Sequence, residues 1–98
     1  MSKRYLLFVA DAGLSEQDLK SLEELLRERH DPIKVIPVKA NQAAVIVKTS
    51  NNVAARLRED SARLKVGGKD LRCILTSGAI GNLKRRASGA AAIGEIPE

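Results

Sequence analysis

Runs of alternating apolar and polar residues are interleaved, along this 98-residue chain, with runs spaced at the wider interval of a helix. Residues 4–10 are a compact apolar run, which predicts a central strand rather than an edge. Asp11-Ala12-Gly13 supplies a turn, and Ser15 with Asp18 three positions on forms a variant of the capping box. Leu19, Leu22, Leu25 and Leu26 then recur at helical spacing, predicting an amphipathic helix of about four turns that Asp31-Pro32 ends. Residues 33–38 alternate, with Ile33, Val35 and Pro37 on one face and Lys34, Ile36 and Val38 on the other. Pro37 cannot donate to a ladder, so this strand belongs at an edge or carries its proline on the open side. After a turn at 40–42, residues 43–48 are a β-branched run suited to a buried strand. A second helix is expected from Ser50 or Asn51, with Val53, Ala54, Leu57 and Leu64 on one side, stopping at Val66-Gly67-Gly68. Residues 71–76 make a fourth strand, a short C-terminal helix follows, and the Ala-rich tail 88–98 is expected to be loosely ordered.

The order strand–helix–strand–strand–helix–strand predicts an α+β fold of the ferredoxin-like, split βαβ kind. It implies a four-stranded antiparallel sheet with both helices on one face, built as a single domain over residues 1–98. Such a fold hosts many functions and licenses none alone. RNA-recognition motifs share the topology and stack bases on strand aromatics. Here Tyr5 and Phe8 are three apart and point to opposite faces, so they cannot share a stacking platform.

Composition changes the picture through charge. Lys and Arg number 17 against 12 Asp and Glu, a net +5. Residues 1–49 hold eight cations against seven acids, whereas 53–86 hold nine against three. The basic character thus belongs to the second half, and it suggests an anionic partner, with nucleic acid first. A merely solubilising basic surface is the competing explanation. Cys73 is the single cysteine, and no signal peptide or long apolar run is visible, so the chain is expected to be cytoplasmic and not membrane-bound.

The candidate chemistry is binding chemistry. Ser77-Gly78 follows the fourth strand and would leave backbone N–H groups at the start of a helical turn, and Lys84, Arg85 and Arg86 come less than two turns later. Neutral donors beside fixed positive charge suit a polyphosphate backbone. Ser50, Asn51 and Arg56 at the second helix form a further candidate, against which plain helix capping must be weighed. His30 has no second ligand nearby in sequence, Cys73 lies in an apolar strand, and Glu59-Asp60 point about 100° apart on a helix. No metal set, cofactor motif or catalytic constellation emerges.

Ser77-Gly78-Ala79-Ile80-Gly81-Asn82-Leu83-Lys84-Arg85-Arg86 resembles the Ser-Gly-Thr-Ile-x-x-Leu-Lys-Arg-Lys stretch of the archaeal and eukaryotic ribonuclease P protein component 2 family, the Pop-five/Rpp-fourteen type. Lys3-Arg4-Tyr5-Leu6-Leu7-Phe8 resembles that family's opening strand, and Ala44-Val45-Ile46-Val47-Lys48-Thr49-Ser50 its strand before the second helix. The resemblance spans somewhat over half of the chain, and only the Ser-Gly block is specific. It implies an RNA-binding protein without catalytic residues of its own, seated beside a second ribonuclease P protein subunit. There it would stabilise a catalytic RNA that uses magnesium to remove the 5′ leader of precursor tRNA. On matching positions Ser77, Gly78, Lys84, Arg85 and Arg86 would touch the RNA backbone. Ala79 departs from the family's Thr and removes a hydroxyl, and the connection after the first helix is shorter than usual. A paralogue bound to another structured RNA, or an assembly module that homodimerises through its sheet, are the alternatives.

Overall fold

The computed structural model describes residues 3–39, 41–60 and 63–89. The chain runs β1 (Lys3–Ala10), α1 (Glu16–Arg27), β2 (Lys34–Pro37), β3 (Ala44–Ser50), α2 (Asn51–Asp60), β4 (Arg63–Val66), β5 (Lys69–Ser77) and α3 (Ile80–Gly89). The strands form one five-stranded sheet in the order β2-β3-β1-β5-β4, and every neighbouring pair is antiparallel. The architecture is therefore α+β, as expected, with one strand more than the sequence pattern predicts.

The extra strand is β4. The spacing of Leu57 and Leu64 fits a helix, but α2 stops at Asp60 and Arg63–Val66 pairs with β5. Gly67 and Gly68, with φ of 58° and 80°, close the hairpin rather than ending a helix. Two consecutive residues at positive φ are what a type I′ turn requires, and glycine adopts that backbone without strain.

The residue parity of β1 divides the apolar side chains into two cores. Leu6, Phe8 and Ala10 pack with Leu22 and Leu26 of α1 and Ala54 and Leu57 of α2. Leu7 and Val9 face the other way and meet Ile46 and Leu83, with Tyr5 and Ile80 packed against them. So α1 and α2 cover one face, and α3 covers the other through Leu83, whose full burial contributes roughly 2 kcal/mol. Tyr5 and Phe8 do lie on opposite faces.

Local chemistry accounts for the elements. The Ser15 hydroxyl accepts from Asp18 N (3.1 Å), while Ser15 N donates to the Asp18 carboxylate (2.9 Å), completing the expected capping box. Four residues suffice for β2, which lies at the sheet edge that Pro37 demands. Helix α1 ends earlier than Asp31-Pro32, with Glu28 as C-cap. At the other end of the chain α3 continues through Gly89, so residues 88 and 89 are helical; the rest of the expected loose tail, 90–98, lies outside the described residues.

Strand β5 carries one irregularity with consequences. Leu7 pairs with Leu75 but Phe8 pairs with Cys73, so Ile74 is an extra residue and remains 43% exposed. Because side chains alternate, that bulge changes the parity of everything beyond it. It puts Leu75 and Ser77 on the α3 face and turns Thr76 toward α2.

Candidate nucleic-acid interface

Strand parity also sorts the charges. On the α3 face lie Lys3 of β1, Lys34 of β2, Lys48 of β3, Arg63 and Lys65 of β4, and Arg72 of β5, deduced from the pairings Lys34↔Lys48, Tyr5↔Lys48, Arg63↔Arg72 and Val9↔Arg72. Helix α3 adds Lys84, Arg85 and Arg86 and contains no acid. Among the described residues of the strands and α3, this face carries nine cations and a single acid, Asp70, which Lys65 approaches at 3.8 Å; Asp11, just past β1, lies beside it and accepts from Asp70 N at 3.2 Å. All nine side chains are exposed except Lys48, which is half-buried. On the opposite layer, α1 and α2 together with Arg4 of β1 and Lys69 of β5 carry six acids and six cations. The sheet thus separates a strongly positive face from a balanced one.

Like charges on that face are close enough to feel one another. Lys48 stands directly across from Tyr5 and Lys34, with Lys3 diagonal to it. The Lys3 ammonium, then partial burial, then Lys34 hold the Lys48 amine below the usual lysine range. Arg63 and Arg72 face each other across β4 and β5. Like charges in direct cross-strand register destabilise a sheet, so such rows are tolerated where a polyanion can neutralise them.

The sequence-derived candidates are divided between the two layers. Lys84, Arg85 and Arg86 are exposed on α3 and, being consecutive, fan out about 100° apart around the helix, leaving Leu83 to face the core. Ser77 lies on the same face, paired with Tyr5, and its hydroxyl accepts from Ala79 N at 3.0 Å. That bond occupies one of the donors expected to be open at this turn. Gly78 is exposed. Ser50 ends β3 opposite Lys3 and belongs to the positive face. Asn51 starts α2 on the other layer, where its side-chain oxygen accepts from Arg4 Nε at 2.8 Å. Arg56 is exposed on α2, about 100° round the helix from Ala55.

Lys3, Lys34, Lys48, Arg63, Lys65 and Arg72 are not among the sequence-derived candidates. For Arg63, Lys65 and Arg72 the signal is the alternation Arg63-Leu64-Lys65-Val66 ahead of Gly67-Gly68, which is a strand and hairpin pattern. Once β4 is a strand, its odd positions fall beside Arg72.

Other reactive groups have structural surroundings. Thr49 is buried, its hydroxyl donating to Pro32 O at 2.7 Å rather than capping α2. His30 is buried after the end of α1, with Nε2 3.4 Å from an Asp60 carboxylate oxygen. Burial pushes the Cys73 thiol up, more than the nearby Leu75 backbone, Arg58 and Thr76 oppose it, so it is a poor nucleophile. Among the described residues no group of three or more His, Cys, Asp or Glu could hold a metal ion, and no helix is long and apolar enough to cross a membrane.

Compared with protein-family models, with curated proteins and with solved structures, the chain matches none.

Proposed function

We propose that this chain is a non-catalytic protein subunit that binds a structured RNA through its α3 face, in a ribonuclease P-like ribonucleoprotein that removes the 5′ leader of precursor tRNA. The observation that carries the reading is the nine cations against one acid among the strand and α3 residues on one side of the sheet. A face of that kind attracts a phosphate backbone by counterion release, and it does so without reading sequence. Tyr5 is partly buried against the second core and Phe8 is fully buried on the other face. Backbone and shape recognition therefore suits this surface better than base stacking does.

The fold is read as ferredoxin-like with an added strand. Leaving out β4 gives the order β2-β3-β1-β5 with α1 and α2 on one face, the split βαβ plan, and β4 extends its β5 edge. In this reading α3 is the helix that the Ser77 to Arg86 resemblance places at the RNA, and Ser77, Gly78, Lys84, Arg85 and Arg86 contact its backbone. Magnesium would be held by the RNA, and a second protein subunit would sit beside this one.

Recovery of the chain from its native extract, with sequencing of the co-purifying RNA, tests the proposal. A ribonuclease P-type catalytic RNA together with precursor tRNA is the expected result. A different structured RNA would retain the binding role and remove the processing role. Recovery of no RNA above a charge-matched control protein would overturn both.

A further inference from the structure

On the layer opposite the positive face, β1, α2 and β5 form an open cleft of about 330 Å³ lined by Arg4, Asn51, Ala54, Ala55, Arg58 and Thr76. We propose that this cleft binds a single phosphate group, held by Arg4 and Arg58. Neither guanidinium has a carboxylate partner among the described residues. Two cations facing one small space repel one another until an anion enters it. Arg4 is already oriented: its Nε donates to Asn51 Oδ1 at 2.8 Å, which leaves the terminal nitrogens of the fork to bind a ligand. One of them lies against Gly78, where a Cβ would come within 3.7 Å of it.

Thr76 supplies an independent observation. Its Oγ1 is buried and makes no hydrogen bond of good geometry, its interaction with the Cys73 thiol being a weak one, and a poorly satisfied buried hydroxyl is costly. The Ile74 bulge is what turns this side chain toward α2. A ~120° rotation about its χ1 to another staggered position would move Oγ1 out of its buried site and toward an oxyanion in the cleft. Ala54 and Ala55 leave room above the helix, and the first turn of α2 carries no acid to repel an anion. A phosphomonoester, with close to two negative charges near neutral pH, would balance both arginines, and a backbone phosphodiester, with one charge, would balance only one of them while still offering its oxygens to both.

The phosphate could come from a free phosphomonoester or from a nucleic-acid backbone. The cleft and the α3 face lie on opposite sides of the sheet, so either can fail without the other. The test is titration of the ¹⁵N-labelled chain with inorganic phosphate at constant ionic strength. Saturable shifts are expected at the Asn51 and Gly78 amides. Arg58→Met, at an exposed position, should weaken binding roughly tenfold, and Thr76→Val should weaken it less, both with unchanged circular dichroism. Replacing Lys84, Arg85 and Arg86 with Ala should leave phosphate binding in place even where it removes RNA binding. Adenosine monophosphate and a dinucleoside monophosphate lacking a terminal phosphate are then added as competitors, and whichever displaces phosphate identifies the source. Shifts that never saturate, an Arg58→Met chain that binds as before, or displacement by neither competitor would overturn the proposal.

Discussion

Under the proposed function, Lys48 sets RNA binding and stability in opposition on one side chain. Its amine is held below the ordinary lysine range mainly by Lys3, so folding disfavours its protonated form. The sign follows: the folded chain gains stability as pH rises through the lowered value toward that of the unfolded chain. Lys48→Met should therefore raise the melting temperature at neutral pH and low salt, and weaken RNA binding in the same step. Added salt should narrow the difference in melting temperature by screening the repulsion. Asp18 is the opposite case. The Lys69 ammonium, the Ser15 backbone N–H and the Ser15 hydroxyl hold its carboxyl below the usual range, and Lys69 ties β5 to the start of α1 through it. A depressed carboxylate stabilises the fold above the unfolded pKa, near 3.8, and that contribution disappears as pH falls through the folded value. Asp18→Asn should lower the melting temperature at pH 7 and flatten its decline in acid, measured by thermal melts from pH 7 to pH 2.

Among the elements, the β4–β5 hairpin matters most to the charged face, because it delivers Arg63, Lys65 and Arg72 to it. Its two glycines are not equivalent. A Cβ on Gly67 would overlap the Asp18 carboxylate, whereas one on Gly68 would meet nothing within 4 Å. Gly68→Ala should cost about 1–2 kcal/mol of backbone strain alone, and Gly67→Ala distinctly more, with loss of the Asp18–Lys69 contact; urea denaturation of both variants checks the order. The same hairpin marks where sequence patterning reached its limit. Strand β1, the Ser15–Asp18 capping box and the edge position of β2 were legible because each rests on local chemistry: an apolar run, a hydroxyl three residues from a carboxylate, a proline without N–H. Strand β4 was not, because Leu57 and Leu64 lie seven apart and satisfy a helical spacing, while the competing signal is only four residues long. The Ile74 bulge leaves no local mark at all, and it decides which way Leu75, Thr76 and Ser77 face.

At the scale of the molecule, charge along the chain and charge in space are different quantities. A net excess in residues 53–86 was visible from the count, but three of the nine cations on the α3 face, Lys3, Lys34 and Lys48, come from the nearly neutral first half. Strand pairing gathers them, and parity puts them on the same side as α3. Arg56, also from the basic half, is carried to the other layer. The central claim is that this positive face, rather than total charge, meets nucleic acid. Affinity for a structured RNA, measured against salt concentration, tests it most directly in two charge-matched triple variants. Replacing Lys84, Arg85 and Arg86 with Ala should lower the log–log slope by about two to three units. Replacing Lys20, Arg29 and Arg56, which lie off that face, should leave it nearly unchanged. Equal slopes in the two variants would contradict the account.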